Sequence, residues 1–219
     1  MTTPPFDPPT EADIAAVSAQ LGRPARNVIG IAARCICGAP TVVSTKPRLD
    51  DGTPFPTLYY LCNPAATAAI SVLEANGVMP VLAAKLADQD MAAHYLRAHQ
   101  AYIADRDSIE VVEELAGISA GGMPTRVKCL HALAGHALAA GPGVNPIGDL
   151  ALEMASWSPT VCQCRDFNAD ESSAAESSAV EPSAAEASTV QLPSAEPSAA
   201  EASTVELPSA VPSAVESSE

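Results

Sequence analysis

Apolar positions run first with a helical period, then with a strand-like one, then with a helical one again. Ile14, Val17 and Leu21 share one face of a helix predicted over residues 10–21. Thr10 can cap it, Asp13 stands at the capping-box distance, and Gly22 ends it. Two short strand candidates follow, VIGIAAR at 28–34 and TVVST at 41–45, and the CICGAP between them predicts a hairpin. A loop, KPRLDDGTPFP, carries turn chemistry at Asp51-Gly52 and prolines at 54 and 56. It leads to a third strand candidate, TLYYLC at 57–62.

From Asn63 onward the pattern is helical. Asn63-Pro64 is a cap followed by a first-turn proline, Ile70 and Leu73 share a face, and Gly77 is the stop. Residues 79–87 and 90–115 continue as helices, the second carrying Met91, Tyr95 and Tyr102 along one side. Pro124 opens a helix to residue 140, broken by Gly141, Pro142 and Gly143, and Asn145-Pro146 opens a shorter one to residue 156. Trp157, the one tryptophan, is expected to dock the end of the domain onto the core. The expected fold class is α+β, a mostly helical single domain with a small antiparallel sheet near the N-terminus. The helices are expected on one face of that sheet.

Composition divides the chain. Residues 169–219 hold ten of the 26 acidic residues and no aromatic, Lys, Arg or Cys. They contain a tandem duplication, EPSAAEASTVQLPSA at 181–195 and EPSAAEASTVELPSA at 196–210, which differ only at Gln191 and Glu206. The 15-residue period is too short for a helical solenoid. Ala, Ser, Glu and Pro cannot bury enough apolar area to offset chain entropy. The expected organisation is a flexible lead at 1–9, one globular domain at 10–168 and a disordered tail at 169–219. The net charge of −15 therefore belongs mainly to the tail; residues 1–168 hold sixteen acids and eleven bases.

That balance, with no dense Lys/Arg run, argues against nucleic-acid binding. No apolar stretch approaches the roughly 20 residues of a membrane span. MTTPPFDPPTEAD lacks the basic start and apolar run of a secretory signal, so the expected compartment is the cytoplasm. There the six cysteines are expected as thiols or ligands rather than disulfides.

RCICG at 34–38, PRLDDGTPFPTLYYL at 47–61, GMPTRVKCLH at 122–131 and HALAAGPGVNPIGD at 136–149 resemble the actinobacterial domain-of-unknown-function family 501. The resemblance spans residues 10–157. It implies a bacterial cytosolic protein encoded beside a septum-initiator protein and an exopolyphosphatase-like phosphatase. It implies no particular biochemical activity.

Cys35-x-Cys37, Cys62, Cys129 and Cys162-x-Cys164, with His131 and His136, are ligand types for zinc or an iron–sulfur cluster. In an extended C-x-C the two side chains point to opposite faces, so one of each pair would ligate unless the backbone turns. Gly38 and Pro40 permit a turn after Cys37. On a regular helix Cys129 and His131 lie about 200° apart and cannot share an ion. Cys129 and His136 face alike but sit about 10.5 Å apart along the axis. The expected metal ligands are thus Cys37, Cys62, Cys129 and Cys162, with Cys164 the alternative to the last, gathered from four places in the chain. The competing reading makes each cysteine a small buried hydrophobe and each histidine a packed core group. His94 and His99 read as surface.

An anion site competes as well. A helix opening at Pro124 behind Gly121-Gly122 would aim free N–H groups and its dipole at a ligand, with Arg126 and Lys128 in its first turns. Arg126 would then hold a small anionic or phosphorylated substrate, and His131 or His136 would move a proton. Arg34, Arg48 and Asp51 are candidates to complete that site. Two functions stay open: a Cys-ligated metal-binding interaction module, or an enzyme acting on a small anion. An unknown protein partner goes with the first and a small anionic ligand with the second.

Overall fold

A computed structural model describes residues 6–164 of the 219-residue chain. The repeat tail at 169–219 lies outside the described residues. The order is α1 (Glu11–Leu21), β1 (Val28–Arg34), β2 (Pro40–Thr45), β3 (Tyr59–Leu61), α2 (Pro64–Ala75), α3 (Val78–Ala84), α4 (Gln89–Asp107), α5 (Leu130–Ala140) and α6 (Pro146–Met154). Short 3₁₀ turns lie at Lys85–Ala87 and Glu113–Leu115. The fold class is α+β, mostly helical, with a small antiparallel sheet near the N-terminus, as the sequence predicts.

The sheet has the order β1-β2-β3, antiparallel throughout, with Ile31 opposite Val43 and Val43 opposite Tyr60. β2 is buried along its whole length. Its side chains alternate between two cores. Val42 joins Tyr59, Leu61 and the residues of α2, α4, α5 and α6. Val43 joins Ile31, Cys62 and Val17 of α1. Helices therefore cover both faces of the sheet, where one face was expected. The run TVVST at 41–45 holds no charged residue and no apolar–polar alternation, which suits a strand buried on both sides.

Two glycines set the spacing around α5. A Cβ on Gly135 would stand 3.1 Å from the Tyr59 carbonyl oxygen, and one on Gly148 would collide with the Leu133 carbonyl. α5 thus lies close against β3 on one side and α6 on the other, with most of its residues buried. Trp157 docks against this core, 5 % exposed.

Local chemistry explains most element ends. Thr10 and Asp13 form the expected reciprocal capping box, and Asn63 and Asn145 each accept a first-turn N–H before a proline. Two elements depart from expectation. α4 stops at Asp107, because buried Arg106 turns the chain back by donating to the carbonyls of Leu115 (3.0 Å) and Ile118. α5 begins at Leu130, not at Pro124, which follows a cis bond inside a loop. That loop is closed by Arg126 N–H to the Gly122 carbonyl (2.9 Å) and Lys128 N–H to the Gly121 carbonyl (2.7 Å). At the other end, the lead expected to be free is tied at Asp7, which exchanges two backbone hydrogen bonds with Ile31 (3.0 and 2.8 Å). No single helix among the described residues is long and apolar enough to cross a membrane; the apolar pair α2–α3 bends by 75° at its break.

Candidate metal centres

β1 ends at Arg34 and the chain turns at once. Cys35 N–H donates to the Ala39 carbonyl (2.9 Å) and Gly38 N–H to the Cys35 carbonyl (2.8 Å). Gly38 takes a φ of +89°, which side chains with a Cβ rarely adopt. The turn removes the extended geometry that would have sent Cys35 and Cys37 to opposite faces. After α6 the chain returns across the hairpin tip, where Ile36 N–H donates to the Pro159 carbonyl (3.1 Å). The Sγ atoms of Cys35, Cys37, Cys162 and Cys164 then lie within 4.8 Å of one another. A tetrahedral ion with metal–sulfur bonds of about 2.3 Å holds its thiolates about 3.8 Å apart, so the cluster is compatible with coordination.

The surroundings brace this clasp. Cys35 is buried, Cys162 and Cys164 are half-buried and Cys37 is exposed. Asn63 Nδ2 donates to Cys164 Sγ (3.2 Å) while its Oδ1 accepts from Ala66 N–H (3.1 Å), so the cap of α2 also holds a sulfur. Burial pushes the Cys164 thiol up to about 12; Asn63 opposes the rise, and the neighbouring Cys37 and Cys35 add to it. Arg34 grips the Asp13 carboxylate with two N–H groups (2.6 and 3.0 Å) and donates to the Gly38 carbonyl (3.0 Å). The Arg34 hydrogen bond holds the Asp13 carboxyl well below the usual carboxylate range.

A second cluster lies where α2 meets the start of α5. Cys129 is the residue before that helix and is extended, with φ −148° and ψ 110°. The 200° separation expected of a regular helix therefore does not apply, and Cys129, His131 and Glu74 bring one ligand atom each within 4.8 Å of the others. Glu74 Oε1 accepts from Leu130 N–H (2.6 Å) and stands 3.2 Å from His131 Nδ1. His131 Nε2 sits 3.2 Å from both the Thr67 carbonyl and Ser71 Oγ. The hydrogen bond with Cys129, then the charge of Glu74, raise His131 to about 9. Cys129 and His131 line a cavity of about 290 Å³ whose other walls are Thr57, Tyr59, Tyr60, Leu61, Thr67 and Ala132.

The four cysteines expected as ligands are thus divided. Cys37 and Cys162 meet, with Cys35 and Cys164 in place of the other two. Cys62 is 2 % exposed in the core beneath α1, packed with Val17, Ile31 and Val43 and outside both clusters. Cys129 belongs to the mixed cluster with Glu74, whose place on α2 gives no ligand spacing in the sequence.

The expected anion site does not form. Arg126 and Lys128 are exposed on a loop whose own carbonyls take up their N–H groups, with no helix dipole behind them. His136 is 0 % exposed, stacked on Tyr59 (5.7 Å between centroids, 7° between planes) and edge-on to Tyr102 (5.1 Å). Asn145 Oδ1 accepts from Gly148 N–H, so its Nδ2 donates to His136 Nδ1 (3.1 Å). Burial lowers His136 to about 4. A surface arginine and a sealed histidine cannot act on one substrate. Arg48 is spent on Glu114 (2.7 Å), Arg34 on Asp13, and Asp51 on Thr53 N–H (2.9 Å). His99, expected at the surface, is buried and 2.8 Å from Ser119 Oγ.

A family model described as protein of unknown function (DUF501) matches residues 31–153, more than half of the chain. The chain belongs to the DUF501 family. Cys35, Cys37, Glu74, Cys129 and His131 lie inside the DUF501 match, whereas Cys162 and Cys164 follow it. No curated protein and no solved structure matches the chain.

Proposed function

We propose that this DUF501 protein is a zinc-stabilised interaction module, with the ion held by Cys35, Cys37, Cys162 and Cys164. The observation that carries this reading is the convergence of four sulfurs from two C-x-C segments within 4.8 Å. Four thiolates on one ion form a closed shell with no position for substrate, the pattern of structural rather than catalytic zinc. An iron–sulfur cluster fits less well, because it spreads its thiolates over several metal atoms and so needs them farther apart.

The ion's role is to fasten the 158–164 segment over the β1–β2 hairpin tip, where one backbone hydrogen bond, Ile36 to Pro159, otherwise joins them. The compartment is a bacterial cytosol, where thiols stay reduced and available to zinc. The partner is a protein of the cell-division or polyphosphate machinery, the setting that the family resemblance implies.

Elemental analysis of the full chain tests the metal. Zinc that survives gel filtration and is lost in both Cys37→Ser and Cys162→Ser supports the clasp. Zinc content unchanged by both substitutions defeats it.

A further inference from the structure

We propose that Glu74, Cys129 and His131 form a second, open-sided metal site whose free coordination position faces the cavity beside β3. The site is independent of the clasp and draws on none of its residues.

The argument starts from the imidazole. The Thr67 carbonyl is an acceptor only, so Nε2, 3.2 Å away, carries its proton toward it. That leaves Nδ1 with its lone pair directed at Glu74 Oε1, 3.2 Å away, which is also an acceptor. Two lone pairs at that distance require a cation between them. A proton would satisfy the pair and leave Cys129 as a hydrogen-bond partner of the imidazole; a metal ion would use all three groups as ligands. The sulfur makes a third donor within 4.8 Å. A carboxylate oxygen, an imidazole nitrogen and a thiolate are the three ligand types zinc accepts, and three protein ligands with one open place is its catalytic arrangement.

The surroundings suit that assignment. A ligating histidine normally donates its other N–H to a carbonyl or carboxylate, the role Thr67 fills here. Glu74 is oriented in the same way by Leu130 N–H (2.6 Å). Glu74 and His131 side chains each keep 25 % of their surface exposed, so the cluster is braced from behind and open in front. Two of the three, Cys129 and His131, also line the 290 Å³ cavity. Apart from the cluster's own groups, its lining side chains are apolar or hydroxyl-bearing: Tyr59, Tyr60, Leu61, Thr57, Thr67 and Ala132. With no cationic side chain among those walls, the cavity selects a small neutral oxygen or nitrogen donor, water included, over a phosphate.

Zinc counting on the full chain, purified without added chelator, tests this. The expected content is two zinc per wild-type chain, and one in Cys129→Ser and in His131→Ala. Cys37→Ser is expected to lose the other. Wild-type content retained by both Cys129→Ser and His131→Ala overturns the second site and leaves Glu74 and His131 as a proton-bridged pair. Should those variants fail to fold, wild-type protein mixed with a chromophoric chelator gives the same answer. Release in two equal phases, the faster prevented by imidazole bound beforehand, supports an open site beside a closed one. A single phase of one equivalent whose rate imidazole leaves unchanged overturns it. Failure of the clasp alone reads differently: one zinc per chain, lost in Cys129→Ser and kept in Cys37→Ser.

Discussion

The two clusters of donor side chains are built on opposite principles. The clasp gathers sulfurs from positions 35 and 164, far apart in the described chain, and none of them sits on an α-helix or a strand, two being on the hairpin turn. The Glu74–Cys129–His131 cluster sits where helices meet, and its donors are already held by Leu130 N–H, the Thr67 carbonyl and Ser71. An ion at the clasp would supply most of the order there. An ion at the second cluster would occupy a site that hydrogen bonds have shaped beforehand. Turns allow identical donors to close a full shell, whereas helix ends restrict donors to one side and leave the other open.

The largest expected effect separates the two directly. Removing metal from the clasp by chelation, or by Cys35→Ser, should lower stability by about 4 kcal/mol where free zinc stands a thousandfold above its dissociation constant. Thermal melts with and without chelator measure it. Amide exchange should quicken at Ile36 and across 158–164 but not at the start of α5; equal quickening at both would erase the contrast drawn here.

Acid provides the next test, and it probes a group in neither cluster. His136 is held neutral in the fold, with its value lowered to about 4 by burial. Its contribution is fully present above the unfolded value of about 6.5 and is lost as pH falls toward 4, about 3 kcal/mol in all. Melts between pH 7 and 4 should be run in chelator, so that protonation of metal-bound thiolates does not contribute. His136→Gln should flatten that acid limb, and an unaltered limb would assign it elsewhere.

Glu74→Gln should cost about 2 kcal/mol, because Leu130 N–H loses a charged acceptor and His131 its ion partner. Chemical denaturation of metal-free protein isolates this term from any bound ion. Arg34→Ala should cost about 1 kcal/mol, since the Asp13 pair is partly exposed. The same substitution should loosen the clasp turn through the lost bond to Gly38, seen as faster zinc release. Release at the wild-type rate would show that the turn holds without it.

Much of the fold was legible because element starts here are written in local chemistry. Thr10 with Asp13, Asn63-Pro64 and Asn145-Pro146 each satisfy their own helix's first N–H groups within three residues. α5 was misplaced for the opposite reason. Its first residue, Leu130, donates to Glu74, 56 positions away, and no nearby residue signals the start. The same missing signal conceals the second cluster, since helical geometry at Cys129 turns it away from His131, whereas its backbone is extended. In the clasp the ligand type was legible and the pairing was not. Whether a C-x-C offers one sulfur or two depends on a turn, and the fold brings the 158–164 segment to the hairpin tip through contacts that the spacing of cysteines does not encode. Cys62 looked no different from its fellows until the core closed over it.

Cys35 and Cys164 stand 129 positions apart in the chain and meet at the clasp. An ion bound to both would close a coordinate ring around α2 to α6 and so cut the freedom of the unfolded chain, the larger the ring the greater the gain.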